Sequence, residues 1–354
     1  MFQPDLFSDP RPKFHEAAER SVAEVSAVLL AHYPDIGAPE SRVYQSGAME
    51  INTSNFLVRA GGCGYIVKRW PSGATPGKST RNTQAALTNW LAQQDVRVPG
   101  IRRSAVSGDL VIELEQCCWC VMEYVEGDYF SGAGNEFLDA GIALHGLFLV
   151  LRQVPDALRI LQIIQPATRQ SLEMMAELER QRASWSRIFS EPYATLLSTE
   201  WSGVTAALER ILELEPALKS SIGPCHIDLH PHNVLMLDGK TTAFLDFHSL
   251  MQAPSGSMIA FNLFKLARQA IVARDGNGPD ADVRAQRDEI VARLETSGLI
   301  GRHAPEDLSL LAKAEIVRRL LLILRLNLET NNRDWNHVLP VQIRALKEAD
   351  RVFS

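Results

Sequence analysis

The chain changes character near residue 126. Before that point, short runs rich in β-branched and aromatic residues alternate with turns, as in SNFLVRA (54–60) and CCWCVMEYV (117–125). After it, apolar residues recur at helical spacing over long stretches, the first of them at 135–152. The pattern predicts an α+β chain with a small antiparallel-sheet lobe and a larger, mostly helical lobe. A length of 354 residues is sufficient for two such lobes.

The predicted boundary separates an N-terminal lobe, 1–125, from a C-terminal lobe, 126–354, with EGDYFSGAG (126–134) as a linker. The N-terminal lobe is predicted to contain a helical opening near 13–32, five strands and one main helix, STRNTQAALTNWLAQQ (79–94). The helices predicted for the C-terminal lobe cover residues 135–152, 168–190, 193–215, 256–273, 279–297, 306–329 and 336–353.

Composition excludes several classes of protein. The net charge of −6 argues against a general nucleic-acid binder, which would present a basic face. No window of 18 residues stays apolar, and the N-terminus lacks the apolar region of a signal peptide, so we expect neither a membrane span nor secretion. Five cysteines without framework spacing favour a reducing, cytoplasmic setting. For Cys117, Cys118 and Cys120 we favour buried strand thiols over a zinc or redox site.

One segment, PSGATPGKST (71–80), resembles a phosphate-binding P-loop in its context but not in its spacing. A P-loop requires glycine five positions before Gly77, and Ser72 stands there instead. Removing one residue from a ring of converging N–H groups changes the ring. We therefore expect a surface loop in which Ser79 or Thr80 caps the following helix.

The helical lobe is interrupted at residues 221–250, where the polar cluster CHIDLHPHNVL (225–235) stands. Two short strands follow, VLML and TAFLD, joined by the hairpin-type turn DGK. Asp246 comes 18 residues after Asp228 and 13 after Asn233. Phosphoryl transfer requires a carboxylate near the nucleophile and oxygen ligands for Mg²⁺. The three side chains supply both if the hairpin brings them together.

The motif HIDLHPHNVL followed by FLDF resembles the signature of the aminoglycoside phosphotransferase and choline kinase family. Further pieces occur in the family's order: a lysine in YIVKRW, the segment VMEYVEG and AGIALHGL. The N-terminal strands also resemble the homoserine-kinase-like branch. The resemblance, which spans roughly 43–270, implies a bilobal protein-kinase-like fold and ATP- and Mg²⁺-dependent transfer of phosphate to a hydroxyl of a small molecule.

The resemblance also implies a role for each matching residue. Asp228 would be the catalytic base, and Asn233 and Asp246 would hold Mg²⁺. Lys68 would bind the phosphates of ATP, and Met122 would stand beside the adenine, which the backbone of Glu123, Tyr124 and Val125 would bond. His226 and His230 would support the loop.

The chain departs from the family pattern at three positions. Gln84 stands where the small-lobe helix usually carries the glutamate that pairs with the strand lysine. His248 replaces an acid or glycine, and Asn262 replaces an aspartate. No G-x-G-x-x-G motif is present, and Gly47 is a weak substitute.

Two rival functions therefore stay open beside a small-molecule kinase. The first is a non-catalytic pseudokinase or nucleotide-binding module, which Gln84 and Asn262 motivate. The second is a zinc hydrolase that would use His226, Asp228, His230 and His232. The identity of the acceptor, whether antibiotic, homoserine-like, choline-like or sugar, is open as well, as is the oligomeric state.

Overall fold

The structure is a computed structural model. The residues it describes are 2, 14–40, 42–46, 54–73, 77–160, 162–274, 276–301 and 305–354. Gly47 lies outside them.

The N-terminal region is built on an antiparallel sheet of six strands in the described residues, in the spatial order β1-β2-β3-β4-β6-β5. These strands are β1 (Phe14–Glu16), β2 (Tyr44–Ser46), β3 (Ser54–Ala60), β4 (Cys63–Pro71), β5 (Ile112–Leu114) and β6 (Cys117–Glu123). The predicted helical opening is wrong at its start, because residues 14–16 pair with 44–46 as a strand.

Helices occur between these strands and after them along the chain. In the described residues they are α1 (Glu19–His32), α2 (Lys78–Gln93), α3 (Glu136–Leu151), α4 (Arg169–Arg180), α5 (Trp185–Phe189), α6 (Tyr193–Leu212), α7 (Glu215–Ser220), α8 (Ser255–Arg274), α9 (Ala281–Thr296), α10 (Pro305–Thr330) and α11 (Leu339–Phe353). The helix predicted at 168–190 is wrong as one element, because a 3₁₀ turn at Arg182–Ser184 separates α4 from α5. The predicted cap of α2 is also wrong, because the helix begins at Lys78 behind Gly77.

The two faces of the six-stranded sheet are covered by different groups of side chains. Successive residues of a strand point to opposite faces. Val67 therefore joins the apolar cluster that includes Val28 and Leu29 of α1. On the other face, Trp70 packs in the cluster that contains Ala85 of α2. Lys68, which has the parity of Trp70, is thereby placed on the α2 side of the sheet.

A second, smaller sheet carries the predicted hairpin. The strands β9 (Val234–Leu237) and β10 (Lys240–Phe244) are antiparallel, as the sequence predicts. The segment predicted as a linker also contributes a strand, β7 (Asp128–Tyr129), which pairs with β9. Two further strands, β8 (Ile222–His226) and β11 (Leu250–Pro254), pair with each other and were not predicted.

The chain divides into two compact units. One contains the described residues of 14–160 together with 228–250, and the other those of 162–227 and 251–354. In the second unit, α10 packs against α6, α8 and α11. The predicted α+β fold is confirmed, with an antiparallel sheet in the N-terminal region and a helical C-terminal part. The predicted boundary of the lobes after residue 125 stays a prediction.

Candidate functional site

The hairpin between β9 and β10 turns through Asp238 and Gly239, which have φ angles of 51° and 72°. Two consecutive positive φ values define the turn that matches the twist of antiparallel strands, and Asp-Gly is a preferred sequence for it. Asp139 at the start of α3 accepts a 2.7 Å hydrogen bond from the N–H of Thr241. At the opposite end of this hairpin, Asp228 and Asn233 precede β9 and Asp246 follows β10.

Lys68 of β4 and Asp246 are brought together in this unit. Lys68 Nζ lies 2.6 Å from Asp246 Oδ1, and the two side chains are only 6% and 13% exposed. Asp246 thus supplies a negative charge next to the Lys68 ammonium group. His248 also lies here: its Nδ1 is 2.9 Å from Lys68 Nζ and 2.7 Å from Asp246 Oδ1. A single ring nitrogen cannot accept from Lys68 and donate to Asp246 at once, so its role depends on the tautomer.

The carboxyl group of Asp246 is ionised in this setting. Burial raises its pKa, but the charges of His248 and Lys68 and their hydrogen bonds lower it more, and the net pKa lies well below the ordinary value. The backbone of Asp246 is left-handed, with φ of 67°, a conformation that aspartate tolerates better than most residues. The side chain is thus held at a turn between β10 and the segment that carries His248.

The hydrogen bonds of the Gln84 side chain are made to backbone carbonyls and not to Lys68. Its Nε2 donates to the carbonyls of His248, at 2.6 Å, and Leu250, at 3.0 Å. Because both partners are acceptors, the amide orientation is fixed with its nitrogen toward them. The opposite atom, Oε1, is buried and has no hydrogen-bond partner in the described part of the chain. Gln84 therefore fastens α2 to the backbone that follows Asp246.

The loop that contains Asp228 is tied by its own side chains. Asn233 Nδ2 donates to the carbonyl of Asp228 at 2.7 Å, which leaves its Oδ1 as the atom available to a cation. His230 Nδ1 accepts a 3.3 Å hydrogen bond from the N–H of His232. Its other nitrogen lies 3.7 Å from Asp228 Oδ2, within ion-pair range but too long for a hydrogen bond. The supporting role predicted for His230 stays a prediction that this geometry favours.

His226, which ends β8, belongs to the other compact unit and is fully buried. Asn262 of α8, which stands where the family pattern has an aspartate, donates through Nδ2 to its carbonyl at 3.3 Å. Arg319 of α10 donates to the carbonyl of Ile227, the residue before Asp228, and to Glu315 Oε1 at 2.7 Å. Glu315 also accepts from Arg318, so part of the positive charge of this helix is paired internally.

The segment predicted to bond adenine follows β6. Met122 is half-buried and pairs with Ile66 in the sheet. The N–H of Glu123 donates a hydrogen bond to the carbonyl of Gly100 at 2.8 Å, and the N–H of Tyr124 donates one to the carbonyl of Gly64 at 3.0 Å. A Cβ on Gly64 would lie 3.0 Å from that of Tyr124, so this close approach favours glycine. For the N–H of Val125 no backbone carbonyl partner is found among the described residues.

The zinc-hydrolase alternative would need His226, Asp228, His230 and His232 to converge on one metal ion. Over the described ranges, no three or more His, Cys, Asp or Glu side chains are grouped so that they hold a metal ion. The cysteines of β6 are free thiols, and Cys118 and Cys120 are buried, as predicted. Burial raises the pKa of Cys120 to about 12, so this thiol is not activated. In the described part of the chain, no helix has the length and apolarity needed to cross a membrane.

Residues 48–255 match the model of the phosphotransferase enzyme family, APH. The match covers more than half of the chain, and the chain therefore belongs to this family. The chain is a phosphotransferase. No curated protein sequence matches it.

Three solved structures with similar folds are two phosphotransferases and a kinase. Spectinomycin phosphotransferase APH(9)-Ia, solved with ADP and spectinomycin, gives a TM-score of 0.63 at 14% identity, covering 94% of this chain and 97% of that one. Amicoumacin kinase hAmiN, solved with AMP-PNP, Ca²⁺ and Ami, gives 0.57 at 14% identity, with 94% and 93% covered. An aminoglycoside phosphotransferase from Alicyclobacillus acidocaldarius gives 0.54 at 15% identity, with 96% and 95% covered. At these identities the likeness shows the fold.

The contact of His248 with both charged residues was missed at the sequence level. The signal was present, because His248 stands two residues after Asp246, where an extended or turning chain returns a side chain to the same side. No local pattern indicates that Gln84 bonds to the backbone of this segment, since that bond depends on how α2 packs.

Proposed function

We propose that this chain is a kinase that transfers the γ-phosphate of ATP, with Mg²⁺, to a hydroxyl group of a small molecule. The single observation that carries the proposal is the 2.6 Å contact between Lys68 and Asp246. Membership of the phosphotransferase enzyme family supports it. The nucleotides in the structures of spectinomycin phosphotransferase and amicoumacin kinase support ATP as the donor.

Asp228 is the catalytic base in this proposal. Its side chain is 38% exposed, so a substrate hydroxyl can reach it, and its backbone carbonyl is held by Asn233. A carboxylate orients the hydroxyl and accepts its proton as the oxygen attacks the γ-phosphorus. Lys68, whose buried side chain ends in an ammonium group, binds the phosphates and stabilises the charge that develops there.

The donor set near Asp246 fits a divalent cation. Mg²⁺ prefers oxygen ligands and takes one or two carboxylates together with phosphate oxygens. Asp246 supplies an ionised carboxylate, and Asn233 supplies Oδ1 because its nitrogen is committed to Asp228. When bound, the ion neutralises phosphate charge. These two residues would hold it.

The adenine is expected to bond to the segment after β6. Since the N–H groups of Glu123 and Tyr124 are committed to protein carbonyls, Val125 is the donor that we assign to the purine. Met122, which is half-buried in β6, would stand beside the purine. The family resemblance implies the backbone of Glu123, Tyr124 and Val125, and the proposal narrows the donor to the N–H of Val125.

Substitution of Asp228 tests the proposal. Purified protein is incubated with Mg·ATP and a panel of amino-sugar, amino-alcohol and sugar acceptors, and transfer of phosphate is followed by mass spectrometry. We expect one acceptor class to be phosphorylated and Asp228→Asn to lower kcat by at least about 10³-fold, the scale of a lost positioned base. Asp238→Asn, in the hairpin turn, is the matched control. Full turnover by Asp228→Asn would show that the base is assigned wrongly.

The pseudokinase alternative makes a different prediction for the same material. It expects Mg·ATP to raise the melting temperature, as any ligand of the native state does, while no acceptor is phosphorylated. The ionised Asp246 and its contact with Lys68 favour the active enzyme.

A further inference from the structure

A positively charged group contacts both Asp246 and His248. The ammonium group of Lys68 lies 2.6 Å from Asp246 Oδ1 and 2.9 Å from His248 Nδ1. A carboxylate oxygen and a ring nitrogen are therefore both within 2.9 Å of one cation.

The spacing of the two donor atoms suits one metal ion. Asp246 Oδ1 and His248 Nδ1 are 2.7 Å apart. Two ligands at about 2.1 Å from a metal and at right angles to each other lie about 3 Å apart. For the pair to share the coordination shell of a divalent cation, Lys68 must move to the phosphates of the nucleotide, and the Nδ1 atom of His248 must give up its proton and bind the metal through its lone pair.

His248 is held in place from several sides. Gln84 donates to its carbonyl at 2.6 Å and to that of Leu250 at 3.0 Å. The ring of Trp70 meets the imidazole edge-on, with centroids 5.9 Å apart. The side chain is 21% exposed, so solvent and a ligand still reach it. A donor fixed in this way loses little conformational freedom when it binds a cation.

We propose that His248 is a nitrogen ligand of the divalent cation held by Asp246, and that the site therefore favours Mn²⁺ or Co²⁺ over Mg²⁺ more strongly than an all-oxygen site does. Imidazole suits the first-row transition metals, whereas Mg²⁺ prefers oxygen. Phosphate oxygens, Asn233 and water complete the shell, because two such side chains are too few for a site made by protein alone. The inference rests on the proposed function, since the nucleotide supplies the remaining ligands.

Pulsed electron paramagnetic resonance of Mn²⁺ tests this directly. The full chain is loaded with Mn²⁺ and AMP-PNP, and electron spin-echo modulation is recorded for ¹⁴N bound to the metal. We expect a directly coordinated nitrogen in the native protein, its loss in His248→Asp and its retention in the matched control His232→Asp. We also expect His248→Asp to weaken Co²⁺ binding at least about tenfold relative to Mg²⁺, the lower end of what loss of a supporting residue costs a metal site.

Labelling with [¹⁵N]histidine covers the case in which His248→Asp does not fold. In the native protein the modulation must change from the ¹⁴N to the ¹⁵N pattern, which also separates histidine from the nitrogens of adenine. Bound Mn·AMP-PNP with no histidine coupling, or with coupling that persists in His248→Asp, overturns the inference and leaves the kinase proposal standing. Absence of any Mn·AMP-PNP binding overturns both.

Discussion

Lys68 Nζ lies 2.6 Å from Asp246 Oδ1, although 178 positions separate the two residues in the chain. The contact joins β4 of the six-stranded sheet to the end of the β9–β10 hairpin within one compact unit. Both side chains are largely buried, so the charge of each is neutralised mainly by the other. His248 contacts the same carboxylate oxygen.

Removal of the ammonium group should therefore destabilise the fold. Lys68→Met leaves a buried carboxylate that keeps its contacts with His248 and Ser249 but has lost its ammonium partner, and we expect a loss of about 3 kcal/mol in the free energy of unfolding. Urea denaturation measures it. The double variant Lys68→Met/Asp246→Asn should recover part of the loss, because no charge is then left buried alone.

The matched control for this prediction is Lys219→Met, which removes the same group from a 2.6 Å pair with Glu215 on an exposed helix. Pairs of that kind contribute about 0.3–0.5 kcal/mol. If Lys68→Met costs no more than Lys219→Met, the buried pair does not stabilise the fold as argued.

The sequence predicted the hairpin because its signals are local. Asp-Gly between two apolar runs fixes the turn, and the spacing from Asp228 to Asp246 follows from the lengths of the two strands. It did not predict β7, because a strand of two residues has no pattern of its own and is defined by its pairing with β9. The role of Gln84 was equally hidden, since its partners are carbonyls more than 160 positions away.

Gln84 should be a structural fastener of the segment after Asp246. Gln84→Leu leaves the carbonyls of His248 and Leu250 without their donor, and an unsatisfied buried group costs about 1–3 kcal/mol. We expect a lower melting temperature and a lower kcat, because His248 and Asp246 lose their support. Gln93→Leu, the same change at the exposed end of α2, is the control. Equal melting temperatures for the two variants would argue against this role.

Asn233 should have two separable tasks. Asn233→Asp keeps an oxygen for the cation but loses the donor to the carbonyl of Asp228. Asn233→Ala loses both. We expect Asn233→Asp to bind Mn²⁺ with AMP-PNP while turnover falls, since Asp228 is no longer positioned, and Asn233→Ala to fail in both assays. Mn²⁺ binding by spin resonance and kcat measured in parallel distinguish the tasks. Intact turnover in Asn233→Asp would show that the hydrogen bond to Asp228 is dispensable.

The stability contributed by Asp139 should depend on pH. Burial raises the pKa of this carboxyl, but the hydrogen bonds from the N–H of Thr241 and from Lys240 lower it more, so the net pKa lies below the ordinary value. A folded pKa below the unfolded one, which is about 3.9, stabilises the native state above that pH, and the contribution is lost as pH falls through the folded value. Asp139→Asn, which cannot ionise, should therefore be less stable than the native protein at pH 7, and the gap should narrow below about pH 4. Urea denaturation at pH 7 and below pH 4 measures the difference in the free energy of unfolding between the two proteins. The pKa of Asp246 is also lowered, but its contribution is present in both proteins and does not change this difference. A gap that stays constant from pH 7 to the acid limit of folding would show that the charge of Asp139 does not hold the hairpin to α3.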